Sequence, residues 1–298
     1  RPLNRLGHVD LNGTLIGRLH QTRLSHLVKT TAVTSELASR WWDRQQAVRF
    51  AAAIDRLAAP LSAEESAING PAQVPSRQEV MEKMPPLILA GETFSDEMGR
   101  WCRTSKFASV TQDPGSCGYQ DIYARLLDHM RQGRPRILEI GIGINDPSAR
   151  SGMETAHSPG ASLVGWSEYF PESEVHGADV DERCLVNTDR YTTHKVDQRD
   201  PDSLARLAAL LGPPVDLIVD DGLHTPEANG NTIAALLPLI SPAGVMVIED
   251  IQPRFDALWE EFVEGLRTEY AGVYYPSRIL RQYRDPGSAG GMAVITRR

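Results

Sequence analysis

Two short apolar runs in the second half of the chain end in acid. One closes as Asp220-Asp221-Gly222-Leu223-His224 and the other as Glu249-Asp250. At neighbouring strand tips such carboxylates repel one another by several kcal/mol at an effective dielectric of about 20, unless a cation sits among them. Oxygen donors without a thiolate favour Mg2+, with Mn2+ or Ca2+ as substitutes. The alternative is that these acids cap helices or face solvent. His224 stands just before Thr225-Pro226, a dipeptide suited to a helix start. There it is either a surface or capping residue or, beside a bound metal, a general base titrating near neutral pH.

The other apolar runs also end in groups that can bind a ligand. Glu139-Ile-Gly141-Ile-Gly143 follows the first, and its glycines let the backbone approach a ligand closely. A G-x-G turn alone is a weak signal, since many strand-to-helix connections carry one. Asp179, about 40 residues on, is placed to accept hydrogen bonds from ribose hydroxyls, while Asp181 reads as a helix cap. Asp197 and Gln198 offer polar groups to an adenine edge, and Asp200 and Asp202 read as the start of the next helix.

These residues need a parallel sheet to bring them together. From Arg136 the chain alternates short apolar runs with helical patterns, the signature of βαβ units. Strands are expected at RILEIG, EVHGAD, THKVD, VDLIVD and VMVIED. Helices are expected at Ala161 to Tyr169, Glu182 to Asn187, Asp202 to Leu211, Glu227 to Leu237 and Asp256 to Glu269. VYYPSRIL and GMAVITRR then form an antiparallel pair. In open α/β sheets the ligand binds beyond the carboxyl ends of the strands, where every group above lies. Residues 1–95 show the three- and four-residue spacing of helices, as in LIGRLHQTRLSHLV and WWDRQQAVRFAAAIDRLAAPL, so the division expected is 1–95 helical and 96–298 ligand-binding. Ser62 to Ser76 reads as a loop, and Asn145 to Gly160 as an insertion beside the glycine turn.

Composition bounds the partners. A net charge of -8 and a pI near 5.5 argue against a broad nucleic-acid or anionic-membrane surface. No apolar run reaches the roughly 20 residues of a membrane span, and the first residues lack a secretory signal, so a cytoplasmic protein is expected. An opening at Arg1 reads as a trimmed start. Cys102, Cys117 and Cys184 fit neither a disulfide framework nor a metal knuckle, and read as reduced thiols. His157, His176 and His194 lack comparable neighbours and read as structural.

From about Ser116 onward the chain resembles the metal-dependent, S-adenosylmethionine-using sugar O-methyltransferases of macrolide antibiotic biosynthesis. The resemblance is carried by GYQDIYARLL, LEIGIG, PGASLVGWSEYFP, HGADVD, VDQRDP, VDDGLH and SPAGVMVIEDI in order. It implies an α/β, class I (Rossmann-like) methyltransferase fold, a seven-stranded sheet with a reversed final hairpin. It implies S-adenosylmethionine and Mg2+ as cofactors, with Asp221, Glu249 and Asp250 as metal ligands. Catalysis falls to Asp221 and to His224 as base. Tyr119, Glu139, Gly141, Gly143, Ser162, Asp179, Asp197, Gln198 and Asp220 fall on the cofactor side. It further implies a glycosylated natural product as acceptor, a homo-oligomer, and a lid or oligomer-forming role for the N-terminal helices, whose alternative is a solvated cap. The sequence departs from the family at Leu223, where Ser is common, and at Asp113-Pro114, where Asp-Lys is usual.

Methyl transfer from a sulfonium is an in-line displacement, so the enzyme must hold the acceptor oxygen about 3 Å from the methyl carbon. A sugar hydroxyl is a poor nucleophile, and a metal that coordinates a vicinal diol both lowers its pKa and selects the position. Three other readings are a methyltransferase acting on a catechol, phenol or amine, with Trp101, Tyr119 and Trp166 as lining; a nicotinamide dehydrogenase, disfavoured by the missing G-x-G-x-x-G spacing; and a non-catalytic subunit that keeps the fold.

Overall fold

The computed structural model describes residues 37–61, 68, 70–82, 84–100, 119–146, 148, 158–266, 269–280 and 290–298. The expected readings at LIGRLHQTRLSHLV, Trp101, Cys102, Asp113-Pro114, Cys117 and His157, and most of the insertion between Asn145 and Gly160, lie outside these residues.

Strands β1 (Arg136–Ile140), β2 (Glu174–Asp179), β3 (Tyr191–Lys195), β4 (Val215–Asp220), β5 (Ile240–Ile251), β6 (Tyr270–Tyr275) and β7 (Gly291–Arg297) form one sheet in the order β3-β2-β1-β4-β5-β7-β6. The first five are parallel, and β7 enters antiparallel between β5 and β6. This is the class I methyltransferase arrangement. The order reverses at β1, which sends the connections after β1 and β4 to opposite faces and opens a crevice at their carboxyl ends.

The central strands carry apolar residues at consecutive positions because both faces are covered. Ile137, Leu217, Val219, Val245, Val247 and Val294 face one core with α4 (Gln120–Leu127) and α5 (Ala161–Tyr169). Their neighbours Leu138, Ile218, Met246, Ile248 and Ile295 face the other with α6 (Pro201–Leu211), α7 (Pro226–Leu236) and α8 (Asp256–Glu264).

The N-terminal helices are built into this core. Helix α1 (Leu37–Ile54) inserts Phe50 against Trp259 and Phe262, ring centroids 5.3 and 5.1 Å away. Such pairs contribute about 0.5–1.5 kcal/mol each beyond the area they bury. Helix α2 (Arg77–Met81) starts in a capping box between Ser76 and Glu79. Helix α3 (Pro85–Met98) contains residue 95, so the expected boundary falls inside an element, and Phe94 packs on Tyr123 and Tyr169 of the sheet-covering helices. Other boundaries differ from expectation too, and β5 begins five residues before VMVIED. β3 begins two residues earlier than THKVD. Glu182–Cys184 is a single 3-10 turn capped by Asp181, α8 stops at Glu264, and Ser277–Leu280 forms the short helix α9. No helix among the described residues is long and apolar enough to cross a membrane.

Candidate functional site

Register sets the site. Ile140 pairs with Asp220, and Asp220 with Ile248, so β1 and β4 end level while β5 runs three residues further, to Ile251. The Asp221 N–H donates to the carbonyl of Ile140 at 2.9 Å and the Gly141 N–H to that of Ala178 at 2.8 Å, which carries the sheet's stitching one residue beyond the strands.

Beyond those tips the acids converge. Asp221, His224 and Asp250 each present a ligand atom within 4.8 Å of the others. His224 Nε2 lies 3.9 Å from Asp221 Oδ1 and 3.9 Å from Asp250 Oδ2, and all three side chains are partly exposed. His224 Nδ1 is buried without a hydrogen-bond partner. Two backbone conformations that side-chain-bearing residues rarely adopt hold the cluster, φ +48° at His224 and +51° at Asp250. Gln252 Nε2 donates to the carbonyl of His224 at 3.2 Å and fixes that turn. Three ligand atoms this close together could hold one metal ion. The two carboxylates match a hard divalent cation.

Glu249, the third expected ligand, stands apart from this cluster. It is 1% exposed, it stands outside the 4.8 Å cluster, and its Oε1 accepts the Tyr123 hydroxyl at 2.5 Å. Two residues after Val247, Glu249 leaves β5 on the same face as that valine, toward Tyr123 of α4. The Tyr123 phenol is pushed well above its ordinary range, first by burial and then by the charges of Glu249, Glu139 and Asp221, so it stays protonated and donates.

The residues expected on the cofactor side divide into two groups. Gly141 and Gly143 turn at φ +87° and +77°, and Gly143 N–H donates to Asp179 Oδ2 at 3.2 Å, tying the β1 turn to the β2 tip. Ser162 lies buried in the first turn of α5. Gly160 N–H reaches the Ile142 carbonyl at 2.8 Å, so the insertion leaves and rejoins the chain at one point beside the glycine turn. Glu139, 1% exposed, accepts Trp166 Nε1 at 2.7 Å.

The second group is tied into the protein's own hydrogen bonds. Asp220, fully buried, accepts Gln198 Nε2 at 2.7 Å and Asn229 Nδ2 at 3.0 Å, while Gln198 Oε1 accepts the Leu223 N–H at 2.7 Å. This polar lattice sits beneath the 220–224 turn and shapes it. Asp197 is gripped by Arg199 at 2.9 and 3.0 Å, which holds its carboxyl below the usual range, and it lines a surface cavity of about 690 Å³ between β3 and α6. Tyr119 places its hydroxyl on Asp250. Cys184 is free and buried, its thiol pushed up to about 12 by burial and then by Asp179 and Asp181.

Residues 138–251, the segment from β1 to the end of β5, match the family model described as a methyltransferase domain. The chain is 35% identical over 140 residues to demethylmacrocin O-methyltransferase of Streptomyces fradiae, covering 47% of this chain and 32% of that enzyme. It is 34% identical over 140 residues to mycinamicin VI 2''-O-methyltransferase of Micromonospora griseorubida, with the same coverage of 47% and 32%. A tetracenomycin rhamnosyl 2'-O-methyltransferase of Streptomyces olivaceus is 30% identical over 175 residues, 55% of this chain and 44% of that one. The alignments thus span about a third to under half of the length of these relatives, which are the sugar O-methyltransferases that the motifs around the methyltransferase domain resemble. A solved structure of MycE with Mg and SAH is similar with a TM-score of 0.47 at 22% identity, covering 68% of this chain and 54% of that one.

Tyr119 and Tyr123 bond the acids Asp250 and Glu249, a contact that strand-tip reasoning did not assign. Their spacing of four on one helix, in GYQDIYARLL, was the available signal.

Proposed function

We propose that this chain transfers a methyl group from S-adenosylmethionine to a hydroxyl of a sugar borne by a natural product, with Mg2+ at the β4 and β5 tips. The observation that carries this reading is the convergence of Asp221, His224 and Asp250 within 4.8 Å at the crevice of a methyltransferase domain. The relatives named above act on glycosylated antibiotics, which supports the sugar as acceptor.

The glycine turn fits the cofactor: Gly141 and Gly143 have the positive φ that lets backbone approach a ligand, and Asp179 at the next tip would accept hydrogen bonds from a ribose diol. The donor set fits the cation, with Asp221 and Asp250 as its ligands and the buried charge of Glu249 behind them. When bound there, Mg2+ supplies a Lewis acid that makes an acceptor hydroxyl more acidic. His224, equidistant from both carboxylates, takes up the hydroxyl proton at Nε2. The Gln198, Asp220 and Asn229 lattice keeps the turn that bears both residues in one shape.

The test is methyl transfer from S-adenosylmethionine to a panel of glycosylated macrolides, with and without EDTA, for the wild type, His224→Ala and Asp221→Asn. Both variants and the chelated wild type should lose nearly all activity. Full activity in every arm sinks the metal-and-base reading. Cofactor binding without transfer to any acceptor points to the non-catalytic subunit, and transfer to catechols or amines alone replaces the sugar.

A further inference from the structure

Asp250 sits in a left-handed backbone conformation at the end of β5, where its own strand no longer dictates which way the carboxylate points. One phenol supplies the missing constraint. The Tyr119 hydroxyl donates to Asp250 Oδ1 at 2.8 Å and accepts the N–H of the same residue at 3.1 Å. A single hydroxyl therefore closes a ring through the backbone and the side chain of Asp250, leaving Oδ2 as the oxygen that faces His224. Tyr119 is 1% exposed, at the N-cap of α4, and Tyr123 one turn later holds the preceding acid, Glu249. Gly290 packs closely on the same backbone: a Cβ there would lie 2.1 Å from the Asp250 Cα.

We infer that Tyr119 is a positioning residue for the cation, aiming Asp250 Oδ2 at the ligand cluster while it stays out of the cluster itself. This rests on the reading of Asp221 and Asp250 as the cation's ligands. Groups that orient a metal's ligands matter nearly as much as the ligands, and their loss typically weakens metal binding 10–100-fold.

The experiment is Mn2+ binding to the full chain, followed by electron paramagnetic resonance, for wild type, Tyr119→Phe and Tyr274→Phe. Tyr274 donates to Asp256 Oδ1 at 2.6 Å and serves as the control for losing a tyrosine-carboxylate bond elsewhere. Tyr119→Phe should weaken Mn2+ binding about 10–100-fold and raise the metal concentration needed for activity more than it lowers kcat. Tyr274→Phe should leave the Mn2+ affinity within about twofold, because Asp256 lies outside the ligand cluster. Wild-type affinity in Tyr119→Phe overturns the inference and leaves the metal reading standing. A wild type that binds no Mn2+ removes both. Should Tyr119→Phe fail to fold, 19F spectra of the fluorotyrosine-labelled wild type decide: Mn2+ should broaden the Tyr119 signal before that of Tyr274, and equal broadening overturns the inference.

Discussion

Gly141 and Asp221 meet backbone to backbone: a Cβ on Gly141 would lie 2.1 Å from the Asp221 carbonyl oxygen. The turn at the end of β1 and the acid at the end of β4 therefore form one rigid unit. Gly141→Ala forces a side chain into φ +87° and into main chain that cannot move aside. The backbone strain alone costs about 1–3 kcal/mol. The melting temperature should fall, and the affinities for S-adenosylhomocysteine and Mn2+ should fall together. A variant that loses one affinity and keeps the other would show that the two sites are not joined through this contact.

Asp250 and Glu249 are adjacent in sequence but differ in placement, and their amide variants should differ too. Asp250→Asn should abolish measurable Mn2+ binding. Glu249→Gln, outside the 4.8 Å cluster and held by Tyr123, should weaken it less. Equal losses in a titration of both would make Glu249 a ligand.

Trp166 and Glu139 are buried and joined at 2.7 Å. Trp166→Phe removes the indole donor from that carboxylate and opens a small void, for a loss of about 2–4 kcal/mol. Denaturant titration of both single variants and the double variant should show strong coupling, with Glu139→Gln costing less once Trp166 is gone. Simple additivity would assign the cost to packing alone.

His194 loses its proton more readily than its ordinary value of 6.5, through burial first and the neighbouring His176 second. His176 Nδ1 lies 3.0 Å from His194 Nε2, and Glu174 bonds the far nitrogen of His176 at 2.8 Å. Below pH 6.5 the unfolded chain binds more protons at this position than the folded one, so stability rises with pH there. This contribution is present in full above the unfolded value and is lost as pH falls through the lowered folded value. His194→Gln should flatten the pH dependence of the melting temperature below 6.5 and leave it unchanged at higher pH. An unaltered slope would mean that other groups carry it.

Much of the scaffold was legible in the order of residues. Apolar runs such as VDLIVD mark strands covered on both faces, and their acidic ends mark the crevice, because strand direction alone puts every tip on one side. EVHGAD, VDLIVD and the helix at Ala161–Tyr169 lie where they were expected. Polar stretches were harder, since THKVD and the residues after Glu182 have no apolar periodicity to set their limits.

The sequence by itself determined the parallel sheet, the glycine turn and the placing of Asp221, His224, Glu249 and Asp250 at its edge. Only the tertiary structure decided which of them meet. It brought His224 between Asp221 and Asp250, turned Glu249 inward to Tyr123, and set Tyr119 on Asp250 across 131 positions of chain. The physical reason is that composition and periodicity act on neighbours along the chain. The aim of a carboxylate beyond a strand's end depends instead on left-handed backbone turns and on hydroxyl donors that packing brings from distant helices.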